Sequence, residues 1–176
     1  MSNGNRDRNE EAKLVLNWWK KSLETFIIVC TFGGSITFSL IMLNIANPSR
    51  LNSENLATRA RYDVEEVREF LAVGWVLFMC NLGICCLLSG LVYFQELDIL
   101  GNWPDGRLWW GITWEWLLHI CSFVITGLLI AAFAVLSMAV VAYVEPVGWA
   151  GLALTMLWGS IVVGCWIYQC FNIWSG

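Results

Sequence analysis

No Asp, Glu, Lys or Arg occurs between Glu24 and Arg50, between Glu69 and Glu96, or between Glu115 and Glu145, and none follows Glu145. Proline is nearly as scarce: Pro48, Pro104 and Pro146 are the only ones, and each lies in a connection between those uncharged stretches. There is one histidine, His119, and no H-E-x-x-H, G-x-S-x-G, G-x-x-x-x-G-K or C-x-x-C pattern. These gaps remove the side-chain sets on which hydrolytic, phosphoryl-transfer and thiol-redox chemistry depend. Basic residues form no run of five, and the formal net charge is -4, so nucleic acid has no electrostatic footprint here.

What is present is apolar length. Hydrophobic residues make up 58% of the 176 residues and charged ones 14%, against roughly 25% charged in soluble domains. A helix needs about 20 mainly apolar residues to cross a bilayer. The sequence therefore predicts an all-α integral membrane protein with four transmembrane helices, at about 26–46, 70–94, 116–144 and 147–174. Residues 1–11 read as a disordered N-terminus, 12–25 as an interfacial or pre-span helix, and 26–174 as a single four-helix domain. The link Glu145-Pro146 is so short that spans three and four are expected to form a tight antiparallel hairpin.

The segment Lys13 to Glu24 reads KLVLNWWKKSLE. Its apolar residues fall near helical spacing, which suits either a helix lying in the interface or the first turns of a long helix. Asp63 with Glu66 three residues on, flanked by Tyr62 and Val67, forms a helix-start signature for span two. Trp103-Pro104-Asp105-Gly106 predicts a turn, and Trp109, Trp110, Trp114 and Trp116 after it an aromatic belt. Seven cysteines, Cys30, Cys80, Cys85, Cys86, Cys121, Cys165 and Cys170, fall inside the spans. That count is odd and none lies in a connection, so they read as small packing residues, not a disulfide framework; Cys170 is near enough the membrane edge to be considered for palmitoylation. The start shows no cleavable signal pattern, and the first span is expected to act as its own targeting signal.

Intramembrane polar residues are the candidate functional positions, because they are costly in lipid without partners. Glu24, Thr31, Ser35 and Ser39 share one face of span one, and Asn44 follows at its far end. An acidic entrance above a hydroxyl stripe is one way to line a cation path. The other reading is that the hydroxyls bond back to their own helix or support close helix packing. Asn81, near the middle of span two, is expected to make an interhelical contact. Glu115 and His119 lie one turn apart, but a single pair supplies too few ligands to be more than a weak metal candidate. In span four, Gly151, Thr155 and Gly159, and Ser160 with Gly164, make small-xxx-small faces, and span three is Ala-rich from Ala131 to Ala142.

The stretch Glu66-Val67-Arg68-Glu69-Phe70-Leu71-Ala72-Val73-Gly74-Trp75-Val76-Leu77-Phe78 resembles the opening of the second span in a group of fungal four-transmembrane-helix membrane proteins. That resemblance implies the four-span fold and carries no activity. In architecture alone the chain is similar to Orai calcium channel subunits and to the PGG-type domains of plant ankyrin proteins. The Orai pattern of a basic inner pore is not matched, since no basic residue lies within span one.

These residues are read as a small homo-oligomeric ion channel, not an enzyme, with the pore lined by the first span. The alternative is a non-conducting tetraspan scaffold or adaptor. The expected partners are membrane lipids, further copies of the chain and inorganic ions, with no cofactor and no nucleic acid. Orientation follows Lys and Arg near the spans. Six (Arg6, Arg8, Lys13, Lys20, Lys21, Arg107) lie on the N-terminal side and four (Arg50, Arg59, Arg61, Arg68) opposite, which places both termini in the cytosol. The lengths of spans three and four lean toward a thick bilayer such as the plasma membrane.

Overall fold

A computed structural model describes residues 3–43, 64–94, 96 and 114–175. Within them the chain forms α1 (Asn3–Met42), α2 (Val64–Phe94), α3 (Trp114–Val141) and α4 (Glu145–Ser175). Each contains a stretch long and apolar enough to cross a membrane: Ala12–Met42, Val64–Phe94, Trp116–Val141 and Glu145–Cys165. The protein is therefore an all-α, four-span membrane protein. Pro48, the Asp63 cap, the Trp103 to Gly106 turn, Trp109, Trp110 and Asn44 lie outside the described residues, as does the side chain of Cys170.

Two helix limits differ from the sequence expectation. The chain is helical from Asn3, where disorder is expected through residue 11; residues 12–25 run into span one without a break, which is the second of the two readings given for them. No proline precedes Pro48, so nothing forces a corner. Ala12, Leu16, Trp19 and Leu23 are buried while Leu14 and Trp18 are exposed, so this segment packs on its neighbours as the lower part of a long helix. The second difference lies between α3 and α4. Glu145-Pro146 is not the link but the first turn of α4. The Val144 carbonyl accepts from the Val147 and Gly148 amides at 3.1 and 3.0 Å. Proline is at home there because a helix's first N–H groups have no intrahelical partner to lose.

The helices pack as neighbours in chain order: α1 on α2, α2 on α3, α3 on α4. The buried residues of α2 are Val67, Leu71, Gly74, Phe78, Asn81, Cys85, Leu88 and Val92. They alternate steps of four and three, the 3.5-residue period of a seam that favours left-handed packing. In lipid, apolar surface alone gives no drive to associate, so close packing and polar contacts hold such helices together.

The lower part of the bundle is filled by large side chains. Leu16, Trp19, Val92, Trp114 and Leu118 form one cluster, and Leu23, Cys85, Leu88 and Ile125 the next. Lys20 closes this end, 2.9 Å from Glu96 and 4.5 Å from the centre of the Tyr93 ring. Higher up, Phe78 fills the space that Gly33 leaves, its Cζ 2.6 Å from where a Cβ would stand, and meets Phe133 edge-on at 5.8 Å.

Between α3 and α4, glycines set the approach. A Cβ on Gly148 would run into the Val141 backbone, one on Gly151 would stand 3.2 Å from Ser137 Oγ, and one on Gly159 would stand 3.3 Å from Ile130 Cδ1. These three contacts run in opposite order along the two helices. Gly164 faces open space.

Gly148→Ala should therefore lower the free energy of unfolding, measured in mixed micelles, by about 1–3 kcal/mol, the usual cost of overpacking. Gly164→Ala should leave it unchanged. Equal behaviour of the two variants would show that the approach at Gly148 does not limit the packing.

Candidate functional site

The polar residues of α1 divide into two faces. Glu24, Thr31, Ser35 and Ser39 are all exposed on the subunit surface. Each hydroxyl donates to the carbonyl one turn earlier: Thr31 to Ile27 at 2.7 Å, Ser35 to Thr31 at 2.7 Å, Ser39 to Ser35 at 2.8 Å. The hydroxyl protons are thus satisfied within the helix, while the oxygens keep acceptor capacity outward. Packing against another helix of the same subunit does not account for the stripe. Ile28 and Met42 lie on the same outward side, 68% and 70% exposed, so the stripe is interrupted by apolar residues.

The opposite face of α1 carries Cys30, Gly34 and Thr37, all buried. Thr37 donates to the Gly33 and Gly34 carbonyls at 2.9 and 3.0 Å. Thr37 is absent from the sequence-derived stripe. Its spacing of seven from Cys30 and four from Gly33 marks the inward face of small residues and would have found it.

Asn81 is fully buried. Its Nδ2 donates to the Ile125 carbonyl of α3 at 3.1 Å. One amide in α2 thereby ties α2 to α3 near mid-membrane. Its Oδ1 has no hydrogen-bond partner among the described residues. Cys85 is buried nearby, in the cluster with Leu23, Leu88 and Ile125. Cys30, Cys80, Cys85, Cys86, Cys121 and Cys165 are all free thiols.

His119 is half-buried on α3, and the Glu115 side chain lies outside the described residues. Among the described residues no group of three or more His, Cys, Asp or Glu is placed to hold a metal ion.

Two large recesses open on the bundle surface, and both are apolar. One, of about 670 Å³, lies between α1 and α3 over α2, with Thr37 and Tyr143 the only side chains among the described residues of its lining that carry a polar group. The other, of about 590 Å³, lies between α3 and α4 beside Phe26; its Thr155 hydroxyl donates to the Gly151 carbonyl at 2.8 Å. Neither resembles a hydrated path. The outward stripe of α1 is the longest aligned polar feature at membrane depth among the described residues.

Comparison with protein-family models, with curated proteins and with solved structures finds no match.

Removing the Asn81 amide should loosen the contact between α2 and α3. Asn81→Leu should lower unfolding free energy by about 0.6–1.7 kcal/mol, the range for single interhelical hydrogen bonds in membranes. An Asn81→Leu variant as stable as the parent chain would mean that the bond to the Ile125 carbonyl carries no energy.

Proposed function

We propose that this chain assembles as a homo-oligomer whose α1 helices surround an ion-conducting path, with Glu24 at one entrance and Thr31, Ser35 and Ser39 along it. The observation that carries the reading is the outward placement of that stripe. A hydroxyl row with an acidic end faces away from the other described helices of its own subunit. Lipid gives nothing to the outward lone pairs. A narrow aqueous axis would let those oxygens replace part of a cation's hydration shell, and Glu24 would raise the local cation concentration at the entrance. Small aligned side chains also leave room for a path between closely spaced helices.

In this reading the N-terminal end of α1, with Glu24, faces the cytosol, as the distribution of Lys and Arg suggests. The plasma membrane is the favoured location.

The second reading is a non-conducting tetraspan scaffold. What favours it is that every hydroxyl of the stripe already bonds to its own helix, and that Ile28 and Met42 interrupt the face. Such a protein would hold partner membrane proteins through the same surface without an aqueous axis.

Purified protein in liposomes is expected to pass monovalent cations. Glu24→Gln should reduce conductance several-fold at low ionic strength and less at high, since an exposed charge is screened within about 10 Å at 0.1 M salt. Ser35→Leu should abolish flux while leaving the oligomer intact. A monodisperse monomer without flux would contradict the channel, and a stable hetero-complex without conductance would favour the scaffold.

A further inference from the structure

Helix α1 is held firmly along one half and loosely along the other. From its N-terminal part to mid-span, Ala12, Leu16, Trp19, Leu23 and Cys30 are buried along one face, and Lys20 is paired with Glu96 at 2.9 Å. Beyond Gly34, Thr37 is the only buried residue among the described residues of α1. Ile36, Phe38, Leu40 and Met42 are exposed, and Ile41 is half-buried against the cluster of Val67, Leu71, Ala139 and Ala142.

The change falls at a pair of glycines. Gly33 and Gly34 stand side by side in mid-helix, where glycine is a poorer helix former than alanine because its backbone loses more freedom. The Phe78 ring of α2 sits under Gly33 and the terminal methyl of Met79 under Gly34. The pair thus rests on a support about which the helix can turn.

Thr37 lowers the cost of turning. In a regular helix the Gly33 and Gly34 carbonyls accept from the amides of Thr37 and Phe38. The Thr37 hydroxyl donates to both carbonyls as well, at 2.9 and 3.0 Å. When this turn opens, the hydroxyl stays as a donor to a freed carbonyl, which hydrocarbon would otherwise leave unsatisfied. Back-bonded threonines often bend helices in this way.

There is also room on one side. The recess of about 670 Å³ flanks this part of α1, lined there by Ile36, Thr37 and Leu40, with Leu136 and Val140 of α3 across from them. We infer that α1 bends at Gly33–Gly34, residues 35–42 swinging over α2 into the recess toward α3 while residues 12–32 stay in place. Sharp helix kinks exceed about 20°. The steps from Gly34 to Met42 span about 12 Å, so such a bend carries Met42 by about 4 Å. The bend lies within one subunit and stands without ion conduction. That it draws Ser35 and Ser39 off the proposed path, and so gates it, rests on the channel reading.

The test is double electron–electron resonance on full-length protein in nanodiscs. Nitroxide amino acids are encoded in place of exposed residues, so that the seven cysteines stay. Labels at Met42 and Val147 report the C-terminal half of α1 against the start of α4, and labels at Trp18 and Ile167 report the held half; all four positions are exposed. The first pair should show two distances separated by up to about 4 Å, and the second pair one. Gly34→Ala meets only the flexible end of Met79, so the variant folds. It should reduce the shorter-distance population about fivefold, the helix-propensity difference between glycine and alanine. Thr37→Val should reduce it about as much, the net worth of one hydrogen bond. Val140→Trp, at an exposed position on the recess wall, should abolish it by filling the space. A single distance in the parent protein, as when lipid fills the recess, would overturn the hinge. So would two distances that all three variants leave unchanged, or a matching split at Trp18 and Ile167. Two distances in a protein that passes no cations would uphold the hinge and contradict only the channel.

Discussion

Backbone amides and carbonyls in hydrocarbon have no water to turn to, so every one of them must be satisfied within the chain. That single constraint makes each uncharged stretch of this sequence a helix. It also removes the force that usually drives helices together, because lipid tails are as apolar as leucine. What remains is close packing and the occasional buried polar bond. The bundle uses both. Glycines at 33, 148, 151 and 159 set approach distances that a Cβ would spoil, and the Asn81 amide reaches the Ile125 carbonyl across the seam. Asn81 is valuable in that place for the reason it would be costly elsewhere: an amide at mid-membrane without a partner is strongly unfavourable.

The seam along α2 explains why the bundle has two different halves. Below Asn81, tryptophan and leucine from three helices fill the interior. Above it, α3 turns alanine-rich, α1 carries Gly33 and Gly34, and Phe78 is the largest fully buried side chain. The result is an interior closed toward the N-terminal side and cleft on the other. The outward hydroxyl stripe of α1 is a consequence of the same arrangement. Cys30, Gly34 and Thr37 occupy the face that meets α2, so Thr31, Ser35 and Ser39 have to turn away from it.

Much of this was legible in the sequence. The uncharged stretches define the four spans, and helical spacing puts Glu24, Thr31, Ser35 and Ser39 on one face. Asn81 was readable as an interhelical contact from its depth alone. The direction of the α1 stripe was not, because periodicity sorts residues into faces without saying which face has a neighbour. Knowing that needs the partner helix, and the partner's seam has to be read with its register: Val67 through Val92 in steps of four and three. The role of Glu145-Pro146 was misplaced for a different reason. Proline marks a boundary, but it is tolerated in a helix's first turn as well as in a link, and only the hydrogen bonds at Val144 separate the two. Residues 12–25 were legible as a helix, but not that Ala12, Leu16, Trp19 and Leu23 face inward; the helical turns before them were obscured by the polar composition of residues 1–11.

The central claim is that the α1 stripe turns toward further copies of the chain and encloses water. Cryo-electron microscopy of the protein in lipid nanodiscs tests it most directly. The account predicts a closed ring of subunits with α1 innermost and with Thr31, Ser35 and Ser39 facing a hydrated axis. Single subunits, or an assembly in which that stripe lies on the outer rim against lipid, would contradict it.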